Sequence, residues 1–304
     1  MDRVIHEIKS IGDIQTISKG LDEHIKIDSF MQKGKEFVNV PNHKFIWNIQ
    51  KERIANSVSK NFQLIQNREV FSTVHNALKN LNLDVKGRLD DMEDTVRMDI
   101  MFKDQKLIND GEKGIELGIR VANSNNKKSS FKLEMYAFRM VCLNGMTIGN
   151  LIPEAREVQI HFGNEKIMLD HIEKMTEKFI KKVINSSDKL QQLVNIVMKD
   201  STEWEMVKII MEKLIMSRKY MKSIAEKIGV DVVEVIDKET NKIKYEFVCD
   251  AKQSINRWDL YNAITNVISH DEQLKPTAQK QLENSSRIIL KNPFRVLEEL
   301  YVKA

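Results

Sequence analysis

Cysteine is the scarcest informative residue in this chain: Cys142 and Cys249 are the only two in 304 residues. They lie far apart with no Cys-x-x-Cys pair, so neither a disulfide framework nor a zinc knuckle is suggested. Proline is nearly as rare, at 41, 153, 276 and 293 only, and no proline-rich or low-complexity linker interrupts the chain. No stretch approaches the ~18 uninterrupted apolar residues of a spanning helix. The start, MDRVIHEIKS, carries charges where a signal peptide needs an apolar run. A soluble, cytoplasmic protein without a membrane partner is therefore expected. An excess of one charge sign is also missing, since 48 Lys plus Arg against 44 Asp plus Glu leaves only +4. That balance permits nucleic-acid binding without demanding it.

The patterns that are present point to an α+β fold, a central antiparallel β-meander packed with helices and a helical C-terminal half. Residues 43–59, HKFIWNIQKERIANSVS, place Phe45, Ile46, Ile49 and Ile54 at roughly helical spacing, although an irregular segment also fits. FQLIQNREVFSTVHNALKNL reads as a short extended piece, an Asn67 N-cap and a helix with Val70, Phe71, Val74, Ala77, Leu78 and Leu81 on one face. From Leu83 the period falls to two: LDVKGRL, TVRMDIMF, GIELGIRVANS and FKLEMYAFRMV alternate between turn compositions, predicting about four strands over 83–142. Asn144-Gly145 predicts a sharp corner after the last of them.

Helical patterns follow over 165–184 and 189–198, and Thr202 with Glu205 forms a capping-box signature for a third helix running to Ile228. The segment 231–249 alternates as a hairpin, with a competing helix-turn-helix reading over 222–248. The C-terminal region ends in helices. Three regions are expected: a partly helical 1–60, an α+β sheet core at 61–160, and a mainly helical 161–304.

Catalytic signatures are weak. Cys142 near a strand end reads as a small buried residue rather than a nucleophile. His161 and His171 lack metal-ligand spacing, and His270-Asp271-Glu272 are consecutive, so their side chains diverge. Asp90, Asp91, Glu93 and Asp94 read as a solvated turn, with a divalent cation as the alternative. No cofactor or metal is expected. Eleven Lys or Arg and ten Asp or Glu lie between 86 and 139, so the meander is not basic overall. Position matters more: Lys86, Arg88, Arg97, Arg120 and Lys132 interleave with apolar residues and can share one strand face, Lys127-Lys128 sit in an Asn-rich loop, and Arg139 follows on the last strand. These eight are the candidate phosphate contacts.

Four blocks, FQLIQNREVF, IRVANSNNKKSSFKLEMYAFRMVCLNGM, IHFGN and RWDLYNAITNVISH, resemble in content and order those of a phage- and plasmid-like family of unknown function. The resemblance runs over about 62–270, and its most specific parts are Arg-x-Val-Cys-x-Asn-Gly and Trp-x-x-x-Asn-Ala-x-Thr. Asn67, Arg68, Asn123, Ser124, Arg139, Cys142, Asn144, Gly145, His161, Trp258, Asn262 and Thr265 match it. Phe162 replaces the usual threonine, and a lysine-rich loop follows Ser124 where Asp-Gly is common. The resemblance implies a mobile-element protein. The order of helix, meander and helices is similar to single-strand annealing proteins such as Redβ and Erf, an analogy of architecture. The functional expectation is a non-enzymatic DNA-binding protein, preferring single strands with duplex DNA also possible, acting as a homo-oligomer in annealing, recombination or replication. Two alternatives stay open: a metal-dependent nucleic-acid-processing enzyme using Asp91, His161 and Cys142, and a host-interaction protein indifferent to nucleic acid.

Overall fold

The computed structural model describes residues 4–92, 94–103, 105, 107–110, 114–126, 130–139, 144–147, 156–159, 164–215, 217–236, 243–271, 274 and 276–302. In chain order the elements are β1 (Val4–Ile8), α1 (Ile11–Lys19), β2 (His24–Lys33), β3 (Glu36–Asn48), β4 (Arg53–Ser59), α2 (Asn67–Asn80), β5 (Val85–Met92), β6 (Thr95–Phe102), β7 (Ile115–Ser124) and β8 (Phe131–Arg139). There follow β9 (Asn144–Thr147), β10 (Arg156–Gln159), α3 (Glu165–Asn185), α4 (Ser187–Lys199), β11 (Ser201–Glu203), α5 (Trp204–Leu214), α6 (Arg218–Lys227), β12 (Asp231–Ile236), β13 (Ile243–Val248), β14 (Ser254–Asn256), α7 (Arg257–His270), α8 (Pro276–Lys291) and α9 (Phe294–Tyr301). The chain is α+β, with a large antiparallel sheet and a helical C-terminal half.

It divides into two compact units, Met1–Leu107 with Glu116–Ala137 and Thr147–Ser187, and the remainder, chiefly Asp188–Ala304. In the first, the main sheet has the order β1-β5-β6-β7-β8-β10. The four strands of the 83–142 region are β5 to β8, and β1 and β10 extend them on either side. The alternation has a physical cause: Leu89, Val96, Met98, Ile100, Ile119, Val121, Phe131 and Leu133 are all fully buried on one face. Helix α2 buries Val70, Phe71, Val74, Ala77 and Leu78 on its own stripe, and α3 buries Ile172, Phe179, Ile180 and Val183. Asn80 Nδ2 donates to Glu173 and Glu177, tying the two helices together. Glycine is required beside β6, because a Cβ on Gly118 would stand 1.8 Å from the Ile100 carbonyl oxygen.

Four local expectations are corrected. Residues 43–59 form no helix; they supply the end of β3 and all of β4, within a second sheet of order β2-β3-β4. Phe45, Ile46, Ile49 and Ile54 mimic helical spacing only because a bulge between Ile46 and Trp47 and the β3–β4 turn break the alternation. Asn144 and Gly145 are not a corner but the start of β9. Asn67 opens α2 as its first helical residue, with Gln66 as the cap, one position earlier than expected. Thr202 lies in β11 rather than capping a helix: its hydroxyl donates to Glu298 Oε1 at 2.7 Å, and α5 begins two residues later.

In the second unit β12 and β13 pair antiparallel, so Gly229, at φ +76°, leads α6 into a strand and not into a second helix. β11 pairs β14, and Trp204 packs on Phe247 with ring centroids 5.5 Å apart. Helix α7 is buried along most of its length, Trp258, Leu260, Ile264 and Val267 included. Among the described residues, no helix is long and apolar enough to cross a membrane.

Candidate functional site

The strand register decides where the expected basic residues go. Arg88 faces Asp99 across β5–β6, Asp90 faces Arg97, and Asp99 faces Arg120 across β6–β7. Because side chains alternate along a strand, Lys86, Arg88, Asp90, Arg97, Asp99, Glu116, Arg120, Lys132 and Glu134 share the face opposite the apolar one. Four of the expected cations are held there by carboxylates. Lys86 Nζ lies 2.7 Å from Glu116, Arg97 pairs with Asp90, and Arg120 grips Asp99 through Nε and Nη2 at 2.6 and 2.9 Å. Arg88 contacts Asp99 and Asp90 more loosely, at 3.6 and 3.9 Å.

These pairs are layered. The Asp90 and Asp99 side chains are 1% and 2% exposed, against 46% for Arg88, 38% for Lys86 and 27% for Arg97. The carboxylates of Asp90 and Asp99 lie beneath and Arg88, Lys86 and Arg97 outermost, whereas Arg120 is itself largely buried, at 19%. Burial pushes the Asp99 carboxyl up, but the Arg120, Arg97 and Arg88 charges outweigh it and hold the group below its ordinary range. The Arg120 guanidinium stands 4.8 Å from the Tyr136 ring centroid, a cation–π contact. Burial, then the Asp99 charge, push the Tyr136 hydroxyl up to about 12. Lys132 lies on the same face opposite Val158, half-buried. Arg139 ends β8, and only its backbone is described. Lys127, Lys128, Cys142 and His161 lie outside the described residues.

A second cluster was invisible in the sequence. His24, Asn48 and Arg53 are cross-strand neighbours at the root of β2, β3 and β4, and all three converge on Asp94, between β5 and β6. His24 Nε2 lies 2.8 Å from Asp94 Oδ1, Asn48 Nδ2 donates to the same oxygen at 3.3 Å, and Arg53 Nη2 donates to Oδ2 at 3.0 Å. Asn126 Nδ2 adds a donor to Oδ2 at 3.3 Å, and the Asn125 backbone N–H donates to the Asp94 carbonyl at 2.8 Å. On the other side of the ring, Asn125 Nδ2 lies 2.9 Å and the Asp22 carbonyl oxygen 3.3 Å from His24 Nδ1. Burial pushes the Asp94 carboxyl up, but hydrogen bonds from His24, Arg53 and Asn48 and the Arg53 charge prevail, leaving it well below the usual carboxylate range. The acidic turn is therefore not solvated at Asp90 or Asp94, both 1% exposed.

Several residues quoted for the family resemblance meet here: Asn123 Nδ2 donates to Asn67 Oδ1 at 2.8 Å, Ser124 bonds Asn126, and Arg68 pairs with Glu23. The His24–Asp94 pair has the composition of a general base, yet both side chains are 0–2% exposed. A base must reach the proton it takes, so this arrangement acts as a clamp on the root of the β2-β3-β4 sheet. In the second unit the other quoted block is also internal: Asn262 Nδ2 donates to the Trp258 carbonyl at 2.8 Å, and Thr265 Oγ1 to that of Tyr261 at 3.2 Å. Among the described residues, no group of three or more His, Cys, Asp or Glu is placed to hold a metal ion.

The model of a family described as a domain of unknown function, DUF932, matches residues 55–289. That range takes in strands β5 to β10 of the main sheet, helices α2 and α3, and most of the second unit, but not β1. No curated protein and no solved structure matches the chain.

Proposed function

The chain belongs to the DUF932 family, and from that premise we propose that it is a DNA-binding protein of a mobile genetic element. It binds single strands as an oligomer and assists annealing, recombination or replication. The observation that carries this reading is the layered sheet face: buried Asp90 and Asp99 lie beneath Arg97, which Asp90 holds, and Arg88, which both contact more loosely, so the charges of these two arginines are outermost. A guanidinium already ordered by a carboxylate beneath it loses little further freedom when a phosphate approaches from above. The resemblance of the four sequence blocks to a phage- and plasmid-like family, and an order of helix, meander and helices that resembles that of Redβ and Erf, support the same reading by analogy.

The test is equilibrium binding of an unstructured oligonucleotide across a salt series. Affinity should fall linearly in log–log form with a slope of about −0.7 per phosphate neutralised. No binding at low salt contradicts the proposal.

A further inference from the structure

The β2–β3 hairpin projects beyond the clamped root as an arm with no core on either side. Every residue from 30 to 39 is exposed, and four of them are large apolar side chains: Phe30 at 52%, Met31 at 57%, Phe37 at 74% and Val38 at 41%. A bare two-stranded hairpin is marginal in water, and concentrated exposed apolar surface marks a contact. The chain nevertheless braces the arm. Its base is held by the Asp94 cluster, and Ser29 Oγ donates at the bulge to the Val40 and His43 carbonyls at 3.3 and 2.9 Å.

The register sorts the arm into two faces. Phe30 is opposite Asn39 and Phe37 opposite Gln32, so both rings, with an amide between them on each strand, lie on one face as diagonal neighbours. Met31 and Val38 face each other on the other side. The turn carries Lys33 and Lys35 around Gly34, against the single Glu36. Two flat rings flanked by ammonium groups suit a ligand that combines π-faces with negative charge.

We propose that the Phe30–Phe37 face of this arm stacks the unpaired bases of single-stranded DNA, with Lys33 and Lys35 on the adjoining phosphates. The proposal rests on the single-strand-binding reading above. It excludes duplex DNA as the arm's ligand, because paired bases hide their faces.

The test uses the full chain and two dye-labelled strands of equal length, oligo-dT and an abasic deoxyribose-phosphate strand. For a Phe30→Ala/Phe37→Ala variant, dT affinity should fall about tenfold or more per ring removed, while abasic affinity and assembly size stay at wild-type values. Met31→Ala/Val38→Ala should leave both affinities unchanged. Unchanged dT binding by the phenylalanine variant, or equal loss on both strands, overturns the stacking proposal alone. A smaller assembly with dT binding retained assigns the arm to a second copy and likewise overturns it. Failure of the wild-type chain to bind either strand removes the single-strand reading, and this proposal with it.

Discussion

Replacing Asp94 with alanine tests the clamp at the root of the arm. The carboxylate accepts from His24, Asn48, Arg53 and Asn126, and three of those donors are 0–1% exposed. Removing it takes a buried acceptor from His24 Nε2 and Asn48 Nδ2 and the Asp94 charge from the Arg53 guanidinium. Each hydrogen bond to a charged group contributes about 1.5–3 kcal/mol, but the four share one carboxylate and do not add. Breaking a buried pair from one side costs about 3–5 kcal/mol, which is the expected loss. At about 2–4 °C per kcal/mol for a unit of this size, the melting midpoint falls by about 6–20 °C. Urea unfolding followed by circular dichroism measures the change directly.

The pH dependence sharpens the prediction. The folded-state carboxyl is depressed, so its stabilisation is present above the unfolded value near 3.9 and is lost as pH falls through the folded value. Wild type and Asp94→Ala should therefore differ fully at pH 7 and converge in strong acid. A destabilisation under about 1 kcal/mol at pH 7, or a difference that does not shrink with acid, refutes the clamp.

Gly118→Ala should destabilise by about 1–3 kcal/mol, the usual cost of overpacking, because the added Cβ meets the Ile100 carbonyl at 1.8 Å; unchanged unfolding would mean that β6 and β7 separate freely. Tyr136 should ionise near pH 12, seen as the difference in absorbance titration between wild type and Tyr136→Phe. Since that value is raised in the folded state, its stabilisation is full below about pH 10 and lost as pH rises towards 12; a midpoint near 10 would show that the ring is wet. Arg120→Ala should cost about 3–5 kcal/mol by stranding Asp99, whereas Arg88→Gln, which loosens contacts of 3.6 and 3.9 Å, should leave the melting midpoint within a few degrees. Equal losses would contradict the layered arrangement.

The main sheet was legible because one of its faces is apolar and buried, which imposes period two on β5 to β8. Helices α2, α3 and α4 were legible for the corresponding reason at period 3.6. The arm was not. With no buried face over residues 30–39 there is nothing to impose alternation, and the bulge near Ile46 scrambled what remained. Thr202 and Glu205 had the spacing of a capping box, yet local spacing carries no knowledge of the β11–β14 pairing that claims Thr202.

The site divides in the same way. That the strand cations share a face follows from alternation alone, but their carboxylate partners depend on cross-strand register, which brings Asp99 beside Arg120 from 21 residues away. His24 and Asp94 are 70 residues apart, and neither stands in a motif; only the folded register joins them.

The central claim is that the cationic layer of the main sheet holds a phosphate backbone. The most direct measurement is the salt slope of single-strand binding for wild type and Arg88→Gln, with matching melting midpoints as the control. The account predicts weaker binding and a slope shallower by about 0.7, the equivalent of one fewer phosphate neutralised. An unchanged slope in a folded variant would contradict it.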